Sequence, residues 1–343
     1  MTRVGEQVSA NEGWNPTMSR WLLTGGAGYI GSHVARQLLD EGTDVVIFDD
    51  LSTGIASRVP VGVTLVDGDV ADTALLSETM RRERIDGVMH FAAKKAVAES
   101  VQRPLYYYRQ NIDGLLSVLD AMAEAEVPRI VYSSSAAVYG EPGVPLVSED
   151  TATIPTNPYG ETKLFGELAV RAQARAADMA VEPMSFVLLR YFNVAGAGSP
   201  ELGDPSVANL IPLALRAVER GERPQIFGDD YATADGTCVR DYIHVSDLAS
   251  AHVAAVKQCQ SAPLGTVHAT YNVGRGVGSS VREVLDMVSD VVGFDVNPIE
   301  SPRRPGDPAS LVADPRQIST ELGWQAQHDL REMVSSAAIA RKN

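Results

Sequence analysis

The amino-acid sequence predicts an α/β protein in which a doubly wound parallel sheet is followed by a smaller C-terminal α/β domain. Short and almost wholly apolar runs, which are typical of strands, recur at residues 21–23, 45–48, 63–66, 87–91, 130–132 and 186–189. Amphipathic stretches such as 115–123 lie between these runs, and strands that alternate with helices form parallel sheets. The runs lack polar alternation, as expected for strands that helices cover on both faces.

A change in composition after Tyr191 indicates a domain boundary. Glycine and proline crowd the residues that follow, and the regular alternation of strands and helices ends there. We expect a disordered extension at 1–19, a first domain at 20–191 and a second domain at 192–343, with part of 238–262 returning to the first domain. A chain of 343 residues is long enough for this division.

Composition narrows the classes of partner and compartment. The 29 Lys and Arg against 44 Asp and Glu give a net charge of −15, which repels nucleic-acid phosphates and anionic lipids. We therefore expect no nucleic-acid partner and no membrane partner. The absence of a long apolar run and of a secretory pattern favours the cytoplasm. Cys238 and Cys259 are too few for a disulfide framework or a zinc cluster, so we expect reduced thiols and no metal site.

A glycine-rich turn after the first strand has the pattern of a dinucleotide-binding loop. The sequence TGGAGYIG places Gly25, Gly28 and Gly31 where the chain turns tightly, approaches a ligand and packs its helix on the strand. The helix N-terminus would then face a pyrophosphate. Asp49 ends the second strand, at the interval where a carboxylate accepts the ribose hydroxyls of adenosine. Its negative charge favours NAD over NADP, and Asp69 after the third strand is a candidate contact for adenine.

A tyrosine and a lysine one helical turn apart form a candidate catalytic pair. Asn157 is a suitable helix cap and Pro158 a suitable first helical residue, so Tyr159 and Lys163 share one face of the predicted helix. Lowering a phenol pKa from near 10 to about 7 requires about 4 kcal/mol of preference for the phenolate. The Lys163 ammonium and a positive nicotinamide together would supply it. Tyr159 would then accept a proton from a substrate hydroxyl while a hydride leaves the same carbon.

A run of serines provides a third candidate catalytic group. The sequence RIVYSSSAAVYG places Ser133, Ser134 and Ser135 at the carboxyl end of a predicted strand, where a doubly wound sheet binds its ligand. We expect the Ser135 hydroxyl to hydrogen-bond the reacting oxygen, whereas helix capping or turn formation is the ordinary role of the other two. The predicted catalytic residues are therefore Ser135, Tyr159 and Lys163.

Seven motifs are spread along the chain: TGGAGYIG, HFAAKKAVAES, SSSAAVYG, NPYGETK, LRYFN, GTCVRDYIHVSDLA and RRPGDPASLVAD. Together they resemble the UDP-glucose 4-epimerases of the extended short-chain dehydrogenase/reductase group, from about residue 20 to the C-terminus. The resemblance implies a Rossmann fold, an isomerase of galactose metabolism, NAD that stays bound throughout turnover, and a homodimer built on a helical bundle. It implies interconversion of UDP-galactose and UDP-glucose through a transient 4-keto sugar.

The resemblance extends the expected cofactor site beyond the glycine loop. It implies that Tyr29 and Ile30 contact the pyrophosphate, that residues 49–54 surround the adenosine ribose, and that Phe91 and Lys95 lie near the cofactor. The complete set of residues expected around NAD is Gly25, Gly28, Tyr29, Ile30, Gly31, Asp49, Asp50, Leu51, Ser52, Thr53, Gly54, Asp69, Val70, Phe91, Ala92, Lys95, Lys163 and Phe192.

The resemblance also implies a site for the nucleotide sugar. Arg240 and Arg304 would hold the diphosphate through charge-assisted hydrogen bonds, and Asp307 would hold the uridine ribose. The complete set of residues expected around the substrate is Ser135, Tyr159, Asn193, Asn209, Leu210, Phe227, Arg240, Arg304, Asp307 and Leu311.

Two positions depart from the pattern of some relatives. Leu311 stands where those relatives have a bulky tyrosine near the sugar N-acyl position, so a wider pocket that admits UDP-N-acetylhexosamines stays open. Gln110 stands where they have an asparagine near the cofactor. His90 and His244 are better interpreted as core histidines than as catalytic groups.

Three alternatives to this activity have different requirements. Nucleotide-sugar 4,6-dehydratases on the same scaffold carry an acidic pair after the hydroxyl residue, where this chain has Ala136 and Ala137. The chemistry of elimination is therefore missing from that strand. An epimerase of another UDP-sugar, namely an N-acetylhexosamine, a pentose or a uronic acid, stays open. A non-catalytic protein that senses NAD on the same fold is disfavoured by the Tyr159 and Lys163 pair.

Overall fold

The protein is described by a computed structural model over residues 19–206, 209–304 and 306–341. The expected N-terminal extension at 1–19 lies outside these residues except for Ser19, whose backbone carbonyl accepts a hydrogen bond from the Asp44 N–H.

Strands and helices alternate along the described residues. The strands are β1 Arg20–Thr24, β2 Asp44–Asp49, β3 Thr64–Asp67, β4 Gly87–His90, β5 Arg129–Ser135, β6 Ser185–Tyr191, β7 Asn193–Ala195, β8 Gln225–Phe227, β9 Val239–His244, β10 His268–Val273, β11 Gly278–Ser280, β12 Ile299–Ser301 and β13 Ser310–Leu311. The helices are α1 Tyr29–Asp40, α2 Thr73–Arg82, α3 Val97–Gln102, α4 Pro104–Tyr108, α5 Gly114–Glu124, α6 Pro158–Met179, α7 Leu210–Glu219, α8 Val245–Ser261, α9 Val281–Val292, α10 Arg316–Leu322 and α11 Leu330–Ala340.

A seven-stranded parallel sheet forms the centre of the molecule, in the order β10-β6-β5-β4-β1-β2-β3. The chain winds outward from β1 to β3 in one direction and from β4 to β10 in the other. The order therefore reverses between β1 and β4, and ligands of such sheets bind in the crevice at the carboxyl ends of the strands near this point. The predicted fold class, a doubly wound parallel sheet, is confirmed.

Helices cover both faces of this sheet, which explains its apolar strands. Trp21 and Leu23 of β1 point into a core formed with α1 and α8, whereas Leu22 points into a second core formed with α2, α5 and α6. Each of these three side chains is fully buried. Burial of an apolar side chain of this size contributes roughly 1.5–3 kcal/mol, so alternate residues of one strand stabilise both layers.

The C-terminal elements build a smaller layer with its own core. Short strands β7, β9, β11 and β13 pair with one another, β8 pairs with β12, and α7, α9 and α11 pack around buried residues such as Leu215, Leu285 and Met333. Two segments return to the large sheet. Helix α8 packs against α1, within the expected range 238–262, and β10 joins the edge of the sheet beyond that range.

Local sequence signals mark the end of α1 and the beginning of α6 as expected. Gly42 follows α1 with a φ of +78°, and Asn157 caps α6 by accepting a hydrogen bond from the Gly160 N–H at 2.9 Å. Strands β5 and β6 extend further than their apolar runs, because the backbone pairing continues through Ser133–Ser135 and Leu189–Tyr191.

In the described part of the chain, no helix is long and apolar enough to cross a membrane.

Buried neutral histidines make the stability of this fold sensitive to acid. Burial lowers the pKa of His90 to about 3 and the pKa values of His33, His244 and His252 to about 4. The predicted core positions of His90 and His244 are confirmed by their burial. An unfolded histidine titrates near 6.5, so the unfolded chain binds more protons than the folded chain between pH ~6.5 and ~4. Burial of Asp241 raises its pKa to about 6, and this carboxyl opposes the trend by one proton.

We expect the free energy of unfolding to fall as the pH drops from about 6.5 to about 4, with net proton uptake on unfolding. Thermal denaturation across this range measures the uptake from the slope of stability against pH. His252→Gln should reduce the uptake by about one proton. An equal slope in the His252 variant would contradict the assignment.

Candidate active site at the carboxyl edge of the sheet

The glycine loop between β1 and α1 packs closely against the loop after β4. Gly25 has a φ of +71°, and a Cβ atom there would lie 2.8 Å from the Ala92 backbone nitrogen. The backbone N–H groups of Phe91 and Ala92 both donate to the Thr24 carbonyl. A Cβ atom at Gly31 would lie 2.6 Å from the Gly25 carbonyl oxygen. Both glycines are therefore required by contact, and Gly25 is also required by its backbone conformation.

The N-terminus of α1 has free donors beside this loop. Gly28 caps the helix in an extended conformation, and within the described residues no side chain caps this end and no acid lies in its first turn. A Cβ atom at Gly28 would meet only the Gly25 carbonyl oxygen, at 3.1 Å, so the backbone here is open on its other sides. Free N–H groups at a helix N-terminus bind phosphate, so this end fits a dinucleotide pyrophosphate.

Asp49 organises the loop at the end of β2. Its Oδ2 accepts a hydrogen bond from the Ala27 N–H at 3.0 Å, and its Oδ1 accepts one from the Leu51 N–H at 2.9 Å. Gly54 packs directly against the carboxylate, where a Cβ atom would clash. Burial raises the pKa of Asp49, and the two backbone donors oppose that shift. The carboxylate therefore ties residues 49–54 to the glycine loop, at the position expected for the adenosine ribose.

Asn111 is a residue of this region that the sequence analysis missed. It is buried in a π-helical turn, Arg109–Asp113, where its Oδ1 accepts from the Lys94 N–H at 2.8 Å. Its Nδ2 donates to the Lys94 carbonyl and to Thr162 Oγ1, both at 3.0 Å. Asn111 thus joins the loop after β4 to helix α6. No local pattern singles out Asn111, whose partners lie 17 and 51 residues away along the chain.

Tyr159 and Lys163 lie together beneath the end of β5, on one face of α6 as predicted. Tyr159 is 8% exposed and its hydroxyl hydrogen-bonds Ser135. Lys163 is 3% exposed, and its Nζ donates to the Ser133 carbonyl at 2.8 Å. The Ser135 hydroxyl also accepts a hydrogen bond from the Ala137 N–H at 3.2 Å. The structure therefore brings the three predicted catalytic residues into one cluster.

The protein's own groups do not lower the pKa of the Tyr159 phenol. Burial raises that pKa, and the hydrogen bond with Ser135 only partly opposes the shift. Burial also lowers the pKa of Lys163 to about 8, because its ammonium is removed from water. The expected preference for the phenolate thus depends on a second positive charge.

The residues expected at the diphosphate and uridine lie on the smaller layer. Arg240 on β9 donates from Nη1 to the Pro308 carbonyl at 2.7 Å, and its Nη2 lies 3.6 Å from Asp307 Oδ1. The guanidinium carbon of Arg304 lies 3.8 Å from the centroid of the Phe227 ring. Pairing of β12 with β8 and of β13 with β9 brings these segments together.

An apolar cluster adjoins the catalytic serine. Leu311 is buried with Phe192 and with Ala136, the residue directly after Ser135. The position that would hold an acid in a dehydratase is therefore occupied by a buried alanine methyl group. The Ala136 side chain itself offers no group for proton transfer to a leaving hydroxyl.

Asp204 is a second residue that the sequence analysis missed. Its Oδ1 lies 3.8 Å from Lys95 Nζ, and its Oδ2 accepts a hydrogen bond from Asn209 Nδ2 at 3.2 Å. Tyr29 lies close to the same lysine, because Lys95 Nζ is 5.9 Å from the centroid of the Tyr29 ring. The Tyr29 hydroxyl donates a hydrogen bond to the Gly196 carbonyl at 2.5 Å. Asp204 thus connects residues expected at the cofactor with one expected at the substrate.

The other residues expected around the cofactor and the substrate lie in several parts of the structure. Asn193 begins β7, Leu210 begins α7 next to Asn209, and Val70 packs near Gly114 of α5. Asp69 is exposed after the edge strand β3, and its carboxylate accepts a hydrogen bond from the backbone of its own turn. Other residues of the expected cofactor set adjoin the contacts described above: Ile30, Asp50, Ser52 and Thr53.

Known proteins are similar to this chain in sequence. The sequence model of the NAD dependent epimerase/dehydratase family matches residues 21–274. The chain is 45% identical over 326 residues to the UDP-glucose 4-epimerase of Azospirillum brasilense, with 94% of this chain and 91% of the relative covered. It is 40% identical over 341 residues to UDP-arabinose 4-epimerase 1 of Arabidopsis thaliana, with 94% of this chain and 79% of the relative covered.

Its fold is similar to that of a solved UDP-glucose 4-epimerase from Bifidobacterium longum in complex with NAD+ and UDP. The TM-score is 0.87 at 38% identity, with 94% of this chain and 98% of that chain covered. The glycine loop, the free N-terminus of α1 and Asp49 are consistent with NAD as the cofactor. By its sequence, its fold and its site, this chain belongs to the NAD-dependent epimerase/dehydratase family.

Proposed function

We propose that this protein is a UDP-glucose 4-epimerase, an isomerase that interconverts UDP-galactose and UDP-glucose. The observation that carries the proposal is the cluster of Tyr159, Ser135 and Lys163 at the same carboxyl edge of the sheet as the glycine loop, next to a buried Ala136 in place of an acid. Oxidation followed by reduction needs only such a cluster and a hydride acceptor. Elimination would need a further acid and base. The similarity to UDP-glucose 4-epimerases along nearly the whole chain supports the same activity.

In this proposal, Tyr159 moves the proton and Ser135 holds the reacting oxygen. When bound, NAD supplies the hydride acceptor and, in its oxidised form, a positive charge. Tyr159 removes the proton from the sugar 4-hydroxyl and later returns it to the oxygen of the 4-keto sugar. Burial raises the pKa of this phenol, so the phenolate requires positive charge close by, of which the Lys163 ammonium is one source. Lys163 is anchored for this role by the Ser133 carbonyl.

The substrate is held mainly through its nucleotide. We expect Arg240 and Arg304 to bind the diphosphate, Asp307 to bind the uridine ribose and Phe227 to line the nucleotide sugar, and all four belong to the smaller layer. The apolar cluster of Leu311 and Phe192 offers the hexose few hydrogen bonds. A sugar anchored in this way can turn over between the two hydride transfers, which inversion requires.

The same proposal extends to the domains, the compartment and the oligomeric state of the protein. We propose an NAD-binding domain at 20–191, with returning segments, and a UDP-sugar-binding domain at 192–343, in a cytoplasmic enzyme of galactose metabolism. Apolar side chains exposed on α3, α4 and α6 support a homodimer formed through helices: Val101 at 62%, Leu105 at 67%, Phe165 at 41% and Leu168 at 56% exposure. Such a patch is normally covered by a partner.

A coupled assay of the purified protein tests the activity. We expect conversion of UDP-galactose to UDP-glucose without added NAD, because the hydride returns to the same sugar in each turnover. A holoenzyme that leaves UDP-galactose unchanged would refute the substrate assignment. UDP-N-acetylgalactosamine and UDP-arabinose assayed beside it distinguish the alternatives, since Leu311 stands where some relatives have a bulky tyrosine near the sugar N-acyl position.

The role of Tyr159 is tested by removing one oxygen atom. Tyr159→Phe should lower kcat by about 100-fold or more, since proton transfer by a positioned side chain contributes ~10²–10⁴-fold. It should retain bound NAD, because the glycine loop is untouched. Tyr108→Phe is the matched control, because the Tyr108 hydroxyl also contacts α6 but donates to Glu161. Full activity of the Tyr159 variant would remove Tyr159 from the mechanism.

The proposed pyrophosphate site is tested by substituting two glycines that both have positive φ angles. Gly25 and Gly42 both have positive φ angles, but an added Cβ atom meets no atom within 4 Å at Gly42 and a backbone nitrogen at 2.8 Å at Gly25. Gly42→Ala should cost about 1–2 kcal/mol of stability from its strained φ and keep NAD. Gly25→Ala should also lose NAD, measured as nucleotide released on denaturing the purified protein. Equal retention in the two variants would contradict the proposed pyrophosphate site.

A further inference from the structure

Three consecutive serines of β5 contact three residues of α6 that are spaced one turn apart. Ser135 hydrogen-bonds Tyr159, and the Ser133 carbonyl accepts from Lys163 Nζ at 2.8 Å. Ser134, between them, donates from Oγ to Glu167 Oε1 at 2.5 Å. Two of the contacts hold the proposed catalytic pair, whereas the third holds a carboxylate that the proposed reaction does not use.

Glu167 is part of a buried ion pair. Arg190 donates from Nε to Glu167 Oε1 at 2.8 Å and from Nη2 to Glu167 Oε2 at 2.6 Å. The side chains of Arg190 and Glu167 are only 7% and 2% exposed. Arg190 lies on β6 directly beside Ser134 in the sheet. The carboxylate therefore receives donors from two neighbouring strands, and its two oxygens are held in one plane with the guanidinium.

The remaining Arg190 donors reach the other side of the site. Its Nη1 donates to the Tyr139 hydroxyl at 2.9 Å and to the Glu149 carbonyl at 3.1 Å. The Tyr139 hydroxyl donates to Asn272 Oδ1 on β10 at 2.7 Å. Tyr139 belongs to the short helical turn that follows Ser135. One network thus joins α6, β5, β6, β10 and the turn after the catalytic serine.

Stability alone is a weak reason for such a pair. Two charges removed from water gain little net free energy, and an apolar pair of similar volume often stabilises a protein at least as well. A two-pronged pair does fix direction, however, because both hydrogen bonds are kept in only one orientation of the helix. Tyr159 is two helical turns from Glu167 on the same face of α6, so a rotation or slide of the helix at Glu167 displaces the Tyr159 oxygen.

We propose that Glu167 and Arg190 are positioning residues, which set the placement of α6 on β5 and so hold Tyr159 and Lys163 at Ser135 and the Ser133 carbonyl. Their effect on rate rests on the proposed epimerase function. A misplacement of a reacting group by about 1 Å can cost about 100-fold in rate. The nucleotide contacts lie on other elements, so substrate binding should not depend on this pair.

Single and double variants of the full-length holoenzyme separate positioning from stability. E167Q and R190M each leave one buried charge without its partner, so each should lower the Tm. The E167Q/R190M double variant removes both charges and should recover most of that Tm. Its kcat for UDP-galactose should stay about 10- to 100-fold below the parent while KM is unchanged. Crystal structures of the parent and the double variant should show the Tyr159 hydroxyl displaced from Ser135.

A second arginine–carboxylate pair, at the amino ends of β1 and β2 and more exposed than the first, provides the control. Arg20 donates to Asp44 from Nε at 2.9 Å and from Nη2 at 2.6 Å. R20Q should lower the Tm without changing kcat.

Recovery of kcat together with Tm in the double variant, or an unmoved Tyr159 hydroxyl in its crystal structure, would overturn the positioning role. A parent holoenzyme inactive on UDP-galactose would instead refute the proposed function. The displacement of Tyr159 between the two crystal structures then decides the positioning role by itself.

Discussion

The contact between the end of β5 and the first turns of α6 is the interaction on which the site depends. Three serines of the strand meet Tyr159, Lys163 and Glu167 of the helix through a hydroxyl, a carbonyl and a second hydroxyl. Backbone pairing of β5 with β4 and β6 holds the strand, and the Asn157 cap sets where the helix begins. The reacting groups therefore sit on rigid elements, which place side chains more reproducibly than loops.

This contact is built from groups whose burial is unfavourable by itself. The Tyr159 phenol has a raised pKa and the Lys163 ammonium a lowered one, because both are removed from water. Each group is thus held nearer its neutral form than in water. An added positive charge beside Tyr159 would favour the phenolate in this low-dielectric setting more strongly than it would at the surface. The protein provides the geometry, and the proposed chemistry begins when that charge is present.

The site joins two parts of the molecule with different roles. The large sheet supplies the glycine loop, Asp49 and the proposed catalytic residues, whereas the smaller layer supplies the arginines proposed for the diphosphate. Asp204 links these parts, since it contacts Lys95 and Asn209, whereas Asn111 joins the loop at Lys94 to α6 within the part built on the large sheet. Both residues connect segments of the site through tertiary contacts, and this connection does not require either residue to touch a ligand.

The sequence by itself determined the fold class, the glycine loop and the positions of Tyr159, Lys163 and Ser135, because each depends on local signals. Apolar runs mark buried strands, glycines mark a tight turn, and a four-residue spacing places two side chains on one helical face. Only the tertiary structure decided the roles of Asn111, Asp204 and Glu167. The partners of Asn111 lie 17 and 51 residues away along the chain, and those of Glu167 lie 23 and 33 residues away. Lys95, one partner of Asp204, lies 109 residues away. No local pattern encodes such distances. The structure also showed that Lys163 binds a backbone carbonyl and that burial raises the phenol pKa, since desolvation depends on the whole of the surrounding fold.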